Sequence, residues 1–315
     1  MNDFIHHIPA CIDLYKEGDL RGLNLQNLGR YLEEKTGVPF RNQGNIYKKY
    51  SEKKLEALAK KLASIKVKDP GGKFSLGVPL QAEIDYERRR IRKPGWKVFG
   101  ILYEGVLYQK LVSDLIFEGR LSLDRCSILF TNQLFGTWDR DNWRYHARVS
   151  LYGFPSLISI VGLVEAPAKP KEFYLRKQMG TPIESLKEEY EGRFLDHGDS
   201  RMTEVLKGYA MQAFLFHLTG DPFCEDRNCR LFNSHWQAEV LHSQMDGQYE
   251  FCPRHEAFIK ELKDRSPFSS LSYLSTSCQE ADDSITRIVN SRLGITNGNV
   301  PKILDGAFQK PKKCG

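Results

Sequence analysis

The chain has 315 residues, 41% hydrophobic and 27% charged, a composition typical of a folded globular protein and unlike that of a disordered one. Its longest nearly apolar segment, FPSLISIVGLV at 154–164, is far shorter than the roughly 20 residues of a membrane-spanning helix, which excludes a membrane-embedded class. The N-terminal stretch lacks a basic start followed by an apolar run, so we expect no secretory signal and a cytoplasmic protein.

The first 45 residues predict a strand, a helix and a second strand, and further helices follow. PACIDLY, at 9–15, is typical of a buried strand. Apolar residues at helical spacing predict a helix over 23–37 that ends at Gly37, and SEKKLEALAKKLASI at 51–65 predicts a second amphipathic helix. The Gly- and Pro-rich segment 68–83 is expected to be a loop, and the apolar run 98–116 predicts a long buried helix.

The second half alternates strands and helices. Three strand-like runs occupy 126–136, 145–155 and 156–167. Thr181, Pro182 and Glu184 form a capping-box pattern that predicts a helix start, and the apolar face over 201–218 predicts a longer helix that ends at Gly220. We therefore expect an α/β (α+β) fold, in three parts: 1–95, a core at 96–262, and a C-terminal helix with a basic tail at 263–315.

Positive charge is concentrated between residues 47 and 100. This region carries 15 Lys or Arg residues against 6 Asp or Glu, including YKKYSEKK and DYERRRIRKPGWK. Such a surface could bind nucleic acid or an acidic partner. A solvated helical face explains the same residues, and we favour that interpretation.

Cysteine spacing points to a metal. Cys224-x4-Cys229 is followed, 22 residues later, by Cys252-x2-His255. Three thiolates and an imidazole, supplied as two short pairs, suit a closed tetrahedral zinc site. A short helix lies between the pairs, with Ser234 and Gln237 as its expected capping box and Gly247 at its end. The sequence predicts one structural Zn²⁺ bound by these four residues.

The segment AFLFHLTGDPFCEDRNC, at 213–229, resembles the signature of the archaemetzincins. In that group of zinc-dependent metallopeptidases a helix carries H-E-x-x-H-x-x-G-x-x-H, followed by C-x4-C and later C-x2-C for a structural zinc. His217 and Gly220 fall on the second His and the Gly, and the zinc cysteines fall on their pairs. The resemblance covers about residues 120–262 and implies a metzincin-like mixed sheet with flanking helices and a zinc-stapled helical subdomain.

Three positions depart from that signature. Ala213 stands where the resemblance places the first zinc His, Phe214 where it places the general-base Glu, and Phe223 where it places the third His. A hydrolytic zinc needs about three protein ligands, an open position and a base for the bound water. We therefore expect a divergent branch that retains the structural zinc and has lost proteolysis at this site, acting as a scaffold that binds a peptide or protein.

Two alternatives remain open. His235, Glu239 and His242 share a helix face at i, i+4 and i+7 and, with His217, could form a relocated metal site of a metal-dependent hydrolase or peptidase. Otherwise, His217 is a packed or hydrogen-bonded histidine at a helix end. The second alternative is nucleic-acid binding through 47–100, with an affinity that falls steeply with salt. The aromatic passage GTWDRDNWRYHARV, at 136–149, is expected to be a twisted hairpin.

Overall fold

A five-stranded mixed sheet forms the centre of the protein. The structure is a computed structural model that describes residues 7–93, 100–118 and 121–266. The strands of this sheet are β1 Cys11–Glu17, β2 Phe40–Asn45, β4 Arg125–Thr131, β7 Ser150–Leu151 and β8 Ser156–Ser159. Their order is β2-β1-β4-β8-β7, in which β7 is antiparallel to its neighbour and the other pairs are parallel.

The apolar run of β1 is long because both faces of this strand are covered. Ile12 and Leu14 point into one core and are fully buried, whereas Tyr15 points into a second core on the opposite face. A parallel strand covered on both sides reads as a nearly continuous buried run. The sheet therefore separates two cores, and the metal-ligand residues belong to the first.

Ten α-helices are assigned within the described residues: α1 Leu25–Thr36, α2 Glu52–Ser64, α3 Gln81–Arg92, α4 Gly105–Phe117, α5 Ile160–Glu165, α6 Lys171–Gln178, α7 Ile183–Glu189, α8 Met202–Thr219, α9 Gln237–Leu241 and α10 Pro253–Arg265. A 3₁₀ helix at Ile46–Lys49 and a π-helix at His242–Asp246 are assigned as well. On the first face of the sheet, α1 packs against α8 and α10. Gly29 of α1 is required where this helix meets β2, because a Cβ on it would lie 2.2 Å from the ring of Phe40.

A smaller sheet lies beside the first. Its strands are β3 Leu102–Glu104, β5 Leu134–Asp139 and β6 Arg144–Arg148, in the order β3-β5-β6. The β5–β6 pair is antiparallel, and Trp138 lies opposite Tyr145 with ring centroids 5.4 Å apart. The predicted aromatic hairpin at 136–149 is thus confirmed, and cross-strand ring pairs of this kind stabilise such a ribbon.

Several predicted boundaries were wrong. The run 98–116 is not one long helix: within its described part, β3 precedes α4, and the Glu104 carboxylate accepts a hydrogen bond from the Leu107 amide at 2.6 Å. The run 156–167 contains β8 and then α5, because Ser159 caps the Gly162 amide at 2.7 Å. In both runs an N-cap residue marks the change from strand to helix. Hydropathy did not reveal this change, because short apolar runs do not distinguish a strand from a helix.

Two predicted capping boxes were also wrong. Thr181 does not cap α7, which begins at Ile183 after Pro182 without a side-chain cap. The predicted box of Ser234 and Gln237 at α9 is replaced by Glu239, whose carboxylate accepts from the Trp236 amide at 3.2 Å. The Gln237 side chain is fully buried and donates instead to the Leu163 carbonyl, 2.9 Å away. Tertiary contacts therefore overrode the local pattern.

The second core contains a buried polar network. The Glu17 carboxylate, at the end of β1, accepts hydrogen bonds from Tyr47, Tyr108 and Thr131 and is ion-paired with Arg90 of α3. Arg90 also contacts Glu87 at 2.8 Å. Because an ion pair removed from water needs such additional partners, this network fixes α3 against the carboxyl ends of β1 and β4.

The predicted α/β class, with a mixed sheet and flanking helices, is confirmed. The described residues belong to one compact unit, Met1–Ser270. The proposed division into 1–95, 96–262 and 263–315 stays a prediction, and the predicted C-terminal helix and basic tail lie outside the described residues beyond Ser266. No helix of the described residues is long and apolar enough to cross a membrane.

Candidate metal centre

Local turns position the first cysteine pair. Helix α8 ends at Gly220, whose left-handed φ of 74° turns the chain out of the helix. The loop that follows folds back on itself, because the Cys229 amide donates to the Asp226 carbonyl and the Cys224 amide donates to the Leu231 carbonyl, each at 3.0 Å. Both sulfur-bearing residues are thereby held on one side of a single loop.

The second pair lies at the start of α10. Cys252 is the N-cap residue, Pro253 occupies the first turn, and His255 follows three residues after the cysteine. Residues three apart share a helix face, so this spacing brings the sulfur and the imidazole together. The Cys252 sulfur lies 3.1 Å from His255 Nδ1.

The structure brings all four predicted ligand residues together. The Cys224 and Cys252 sulfurs are 3.8 Å apart, and the Cys229 sulfur is 3.8 Å from His255 Nδ1. All four donor atoms lie within 4.8 Å of one another. Two sulfurs bound to one tetrahedral zinc at about 2.3 Å would be about 3.8 Å apart, far beyond the roughly 2.05 Å of a disulfide. The donor set and its spacing therefore fit a zinc ion.

Burial shapes the chemistry of these donors. It raises the pKa of Cys229 to about 12 and also raises that of Cys224, so the buried thiolates need a nearby cation to form. The Asp226 amide, 3.4 Å from the Cys224 sulfur, opposes this effect by stabilising the thiolate. Burial lowers the pKa of His255, which keeps the imidazole neutral and able to bind a metal at pH 7.

A hydrogen-bonded network ties the two ligand segments to each other and to α1. The Arg230 amide donates to the Glu250 carbonyl at 2.9 Å, and its guanidinium contacts the Glu204 carboxylate at 2.7 Å. The Glu250 carboxylate accepts from Tyr31 at 2.7 Å and from Lys35 at 2.5 Å. Sequence reasoning missed this network. One signal in the sequence could have indicated it: a charged residue lies next to each ligand pair. Arg230 directly follows Cys229, and Glu250 stands two residues before Cys252.

Apolar side chains fill the space around the part of α8 that resembles the catalytic helix of the archaemetzincins. Ala213 and Phe214 are both fully buried in the first core. His217 Nε2 lies 2.8 Å from the Leu123 carbonyl oxygen, and its ring packs edge-on against Phe154. Burial lowers the pKa of His217. This histidine therefore has a structural partner of the expected kind.

Phe223 completes a half-buried aromatic patch at this helix end. Its ring is 36% exposed and lies 5.8 Å from that of Tyr152, which stacks at 6.0 Å on Phe216. We call Tyr152, Phe154, Phe216, His217 and Phe223 the aromatic patch.

The relocated metal site does not assemble. The Glu239 carboxylate accepts from the His235 amide at 2.8 Å as the cap of α9, and His242 Nε2 lies 3.0 Å from the Asn228 amide oxygen. His217 is engaged at the end of α8. Across residues 7–93, 100–118 and 121–266, the metal-ligand group that meets is the cysteine–histidine cluster, not these four residues.

Part of the basic region 47–100 is ion-paired within the fold. Arg88 pairs with Glu56, Arg92 pairs with Glu52, and Lys66 contacts the buried Glu87 at 2.7 Å. Residues 94–99 of this region lie outside the described chain. These pairs neutralise part of the positive charge of the region, and both the solvated-face interpretation and nucleic-acid binding through 47–100 stay predictions.

Fold and site together define an α/β protein with a buried cysteine–histidine group suited to a metal. Comparison with protein families gives the more particular assignment. Residues 9–262 match the family described as "Probable metallopeptidase family (DUF6775)". The chain belongs to this family, which confirms the predicted relationship to metallopeptidases. No curated protein matches the chain.

Two solved structures are similar at low sequence identity. One is archaemetzincin (amzA) from Methanopyrus kandleri, with 13% identity and a TM-score of 0.35 over 82% of this chain and 98% of the other. The second is a zinc-dependent peptidase from Methanocorpusculum labreanum, also with 13% identity and a TM-score of 0.35, over 79% of this chain and 99% of the other.

Proposed function

We propose that this protein is a zinc-stabilised, non-hydrolytic member of its metallopeptidase family that binds an extended peptide or protein segment. The observation that carries the proposal is the complete burial of Ala213 and Phe214 beside an intact cysteine–histidine cluster. The structural metal site is kept and the hydrolytic one is filled with apolar side chains.

In this proposal Cys224, Cys229, Cys252 and His255 hold one zinc ion. Four protein ligands leave no position for water, so the ion would act as a structural cross-link. It would join the loop after α8 to the first turn of α10, the two segments that Arg230 and Glu250 also connect. Zinc thiolates require reduced cysteines, so we also place the protein in the cytoplasm.

The proposed loss of hydrolysis follows from the residues on α8. Alanine and phenylalanine can neither bind zinc nor take a proton from water, and no solvent reaches these two side chains. His217 alone cannot hold a catalytic ion, and its Nε2 is engaged by the Leu123 carbonyl.

The proposed binding surface is the aromatic patch together with the edge strand β7. Strand β7 is the last strand of the five-stranded sheet, and Tyr152 follows it directly. Edge strands accept extended peptides through main-chain hydrogen bonds, while aromatic side chains anchor the residues of the partner. Phe223 is the exposed member of the patch and is therefore the residue to test.

The test uses zinc-loaded protein and a random pool of short synthetic peptides. Retained peptides are recovered and weighed by mass spectrometry, with Phe223→Ser as the variant and Leu175→Ser as the matched control, since Leu175 is also exposed at 57% but lies on α6. We expect intact peptides on the wild type and the control, and their loss on Phe223→Ser. Zinc-dependent shortening of the peptides, or equal retention by both variants, contradicts the proposal.

A further inference from the structure

A cavity of about 550 Å³ opens on the other face of the five-stranded sheet, where Tyr15 lies. One wall is the end of β2 and the segment after it, with Gln43, Lys49 and Tyr50. The opposite wall is the last turn of α4, residues 115–118, which supplies Leu115, Ile116 and Phe117. The cavity belongs to neither the metal centre nor the aromatic patch, so this inference is independent of the proposed function.

An irregularity of β2 positions the polar wall. The register between β1 and β2 slips between Leu14 and Tyr15, and Gly44 has a φ of 69°, which an L side chain rarely adopts. Bulges of this kind re-aim a neighbouring side chain and occur frequently beside functional sites. Here the Gln43 amide donates to Asp13 at 2.8 Å, and its oxygen accepts from Lys49 at 3.3 Å.

The charges at the cavity leave one cation without an acidic partner. Asp13 is fully buried and already ion-paired with Arg41 and Arg125. Glu118 of the opposite wall pairs with Lys54 at 3.3 Å. The ammonium of Lys49 contacts a neutral amide and forms no ion pair with any described carboxylate. An anionic group entering the cavity would meet this ammonium.

The cavity wall also includes the side chain of Tyr15. The Tyr15 hydroxyl forms no hydrogen bond with any described residue, and burial, with the nearby Asp13 charge, raises the pKa of Tyr15 to about 12, so the hydroxyl remains a donor at neutral pH. This hydroxyl is therefore free to donate a hydrogen bond to a ligand in the cavity.

We propose that this cavity binds a small organic anion with an aromatic or branched apolar body. Lys49 and the Tyr15 hydroxyl hold the anionic group, and the apolar side chains of residues 115–117 pack against the body. A few polar groups on a partly apolar wall, in a volume of this size, are typical of small-molecule sites.

Isothermal titration calorimetry with phenyl phosphate and benzoate tests the proposal, with benzyl alcohol and benzylamine as the neutral and cationic counterparts. We expect the wild type to bind at least one of the two anions with an affinity of about 1 mM or better, and neither counterpart measurably. Lys49→Met should weaken binding about tenfold or more, because a charged hydrogen bond is lost. Tyr15→Phe, which removes only the hydroxyl, should also weaken it.

Lys53→Met is the matched control, because Lys53 is an exposed lysine of α2 outside the cavity wall. It should bind the anion as the wild type does. Both Lys49→Met and Lys53→Met alter exposed or half-exposed side chains, so unchanged thermal unfolding is expected and is measured alongside. Failure of both anions to bind, equal binding of benzylamine, or equal weakening by the two lysine variants overturns the proposal.

Discussion

Phe214→Glu places a carboxyl group where the archaemetzincin signature has its general base. If α8 still faced an open catalytic cleft, this change would be tolerated. Phe214 is instead fully buried among core residues of α8 and the five-stranded sheet. The substitution therefore tests whether this position is a site or part of the core.

The expected cost can be worked out from that burial. Removing a buried phenylalanine side chain costs about 3–5 kcal/mol through lost packing and the cavity left behind. The introduced carboxyl either stays ionised at a further cost of several kcal/mol or takes up a proton, so its pKa rises. We expect Phe214→Glu to lose at least about 3 kcal/mol of unfolding free energy, against about 1.5 kcal/mol for Phe214→Leu, which keeps an apolar side chain.

Urea unfolding followed by tryptophan fluorescence, at about pH 8 and about pH 5, measures both effects. The introduced carboxyl would have a folded-state pKa above its unfolded-state value. Its penalty is therefore largest at high pH and shrinks as pH falls towards the raised pKa. If Phe214→Glu is as stable as the wild type at both pH values, or if it cleaves peptides in a zinc-dependent way, Phe214 is not a core residue of the kind described.

Two further predictions concern the buried networks. Burial opposes the charge of Glu17, but Arg90 and three hydroxyl donors lower its pKa below the ordinary value of 4.5. Glu17→Gln should lose about 3 kcal/mol of unfolding free energy at neutral pH, and this difference from the wild type should shrink as pH falls from about 4.5 towards the lowered pKa of folded Glu17, because the unfolded chain takes up the proton first; a constant difference in urea titrations at acid pH contradicts this. Arg230→Met should lose about 3 kcal/mol in urea unfolding because it removes the largely buried cation that Glu250 and Glu204 share, whereas Arg227→Met, at a side chain that is 69% exposed, should lose under about 0.5; equal losses would show that the network contributes nothing.

The cysteine–histidine cluster could be predicted because its information is local. Cys224 and Cys229 share one tight loop, and Cys252 and His255 share one helical turn, so each pair is fixed by spacing alone. The helix Met202–Thr219 could be predicted for the same reason. Its apolar periodicity indicates its buried face, and Gly220 indicates where the helix ends. Local sequence patterns predict those parts of the structure that depend on residues close together in the sequence.

The networks could not be predicted, because their members are distant in sequence. Tyr31 reaches Glu250 across 219 residues, and Glu17 reaches Arg90 across 73. No spacing rule connects such pairs, and only the packed sheet brings them together. The prediction of one helix over 98–116 was wrong for a local reason. The run is continuously apolar on both sides of Glu104, but the Glu104 side chain caps α4 and so separates it from the preceding strand. The prediction did not take this side-chain cap into account.

Native mass spectrometry of protein prepared without chelator tests most directly whether the four clustered residues hold a zinc ion. Wild type, Cys224→Ser and Cys126→Ala are compared, since Cys126 is a buried cysteine outside the cluster. We predict one zinc per chain in the wild type and in Cys126→Ala, and its loss in Cys224→Ser. A wild-type protein without zinc, or a zinc ion fully retained by Cys224→Ser, would contradict the account.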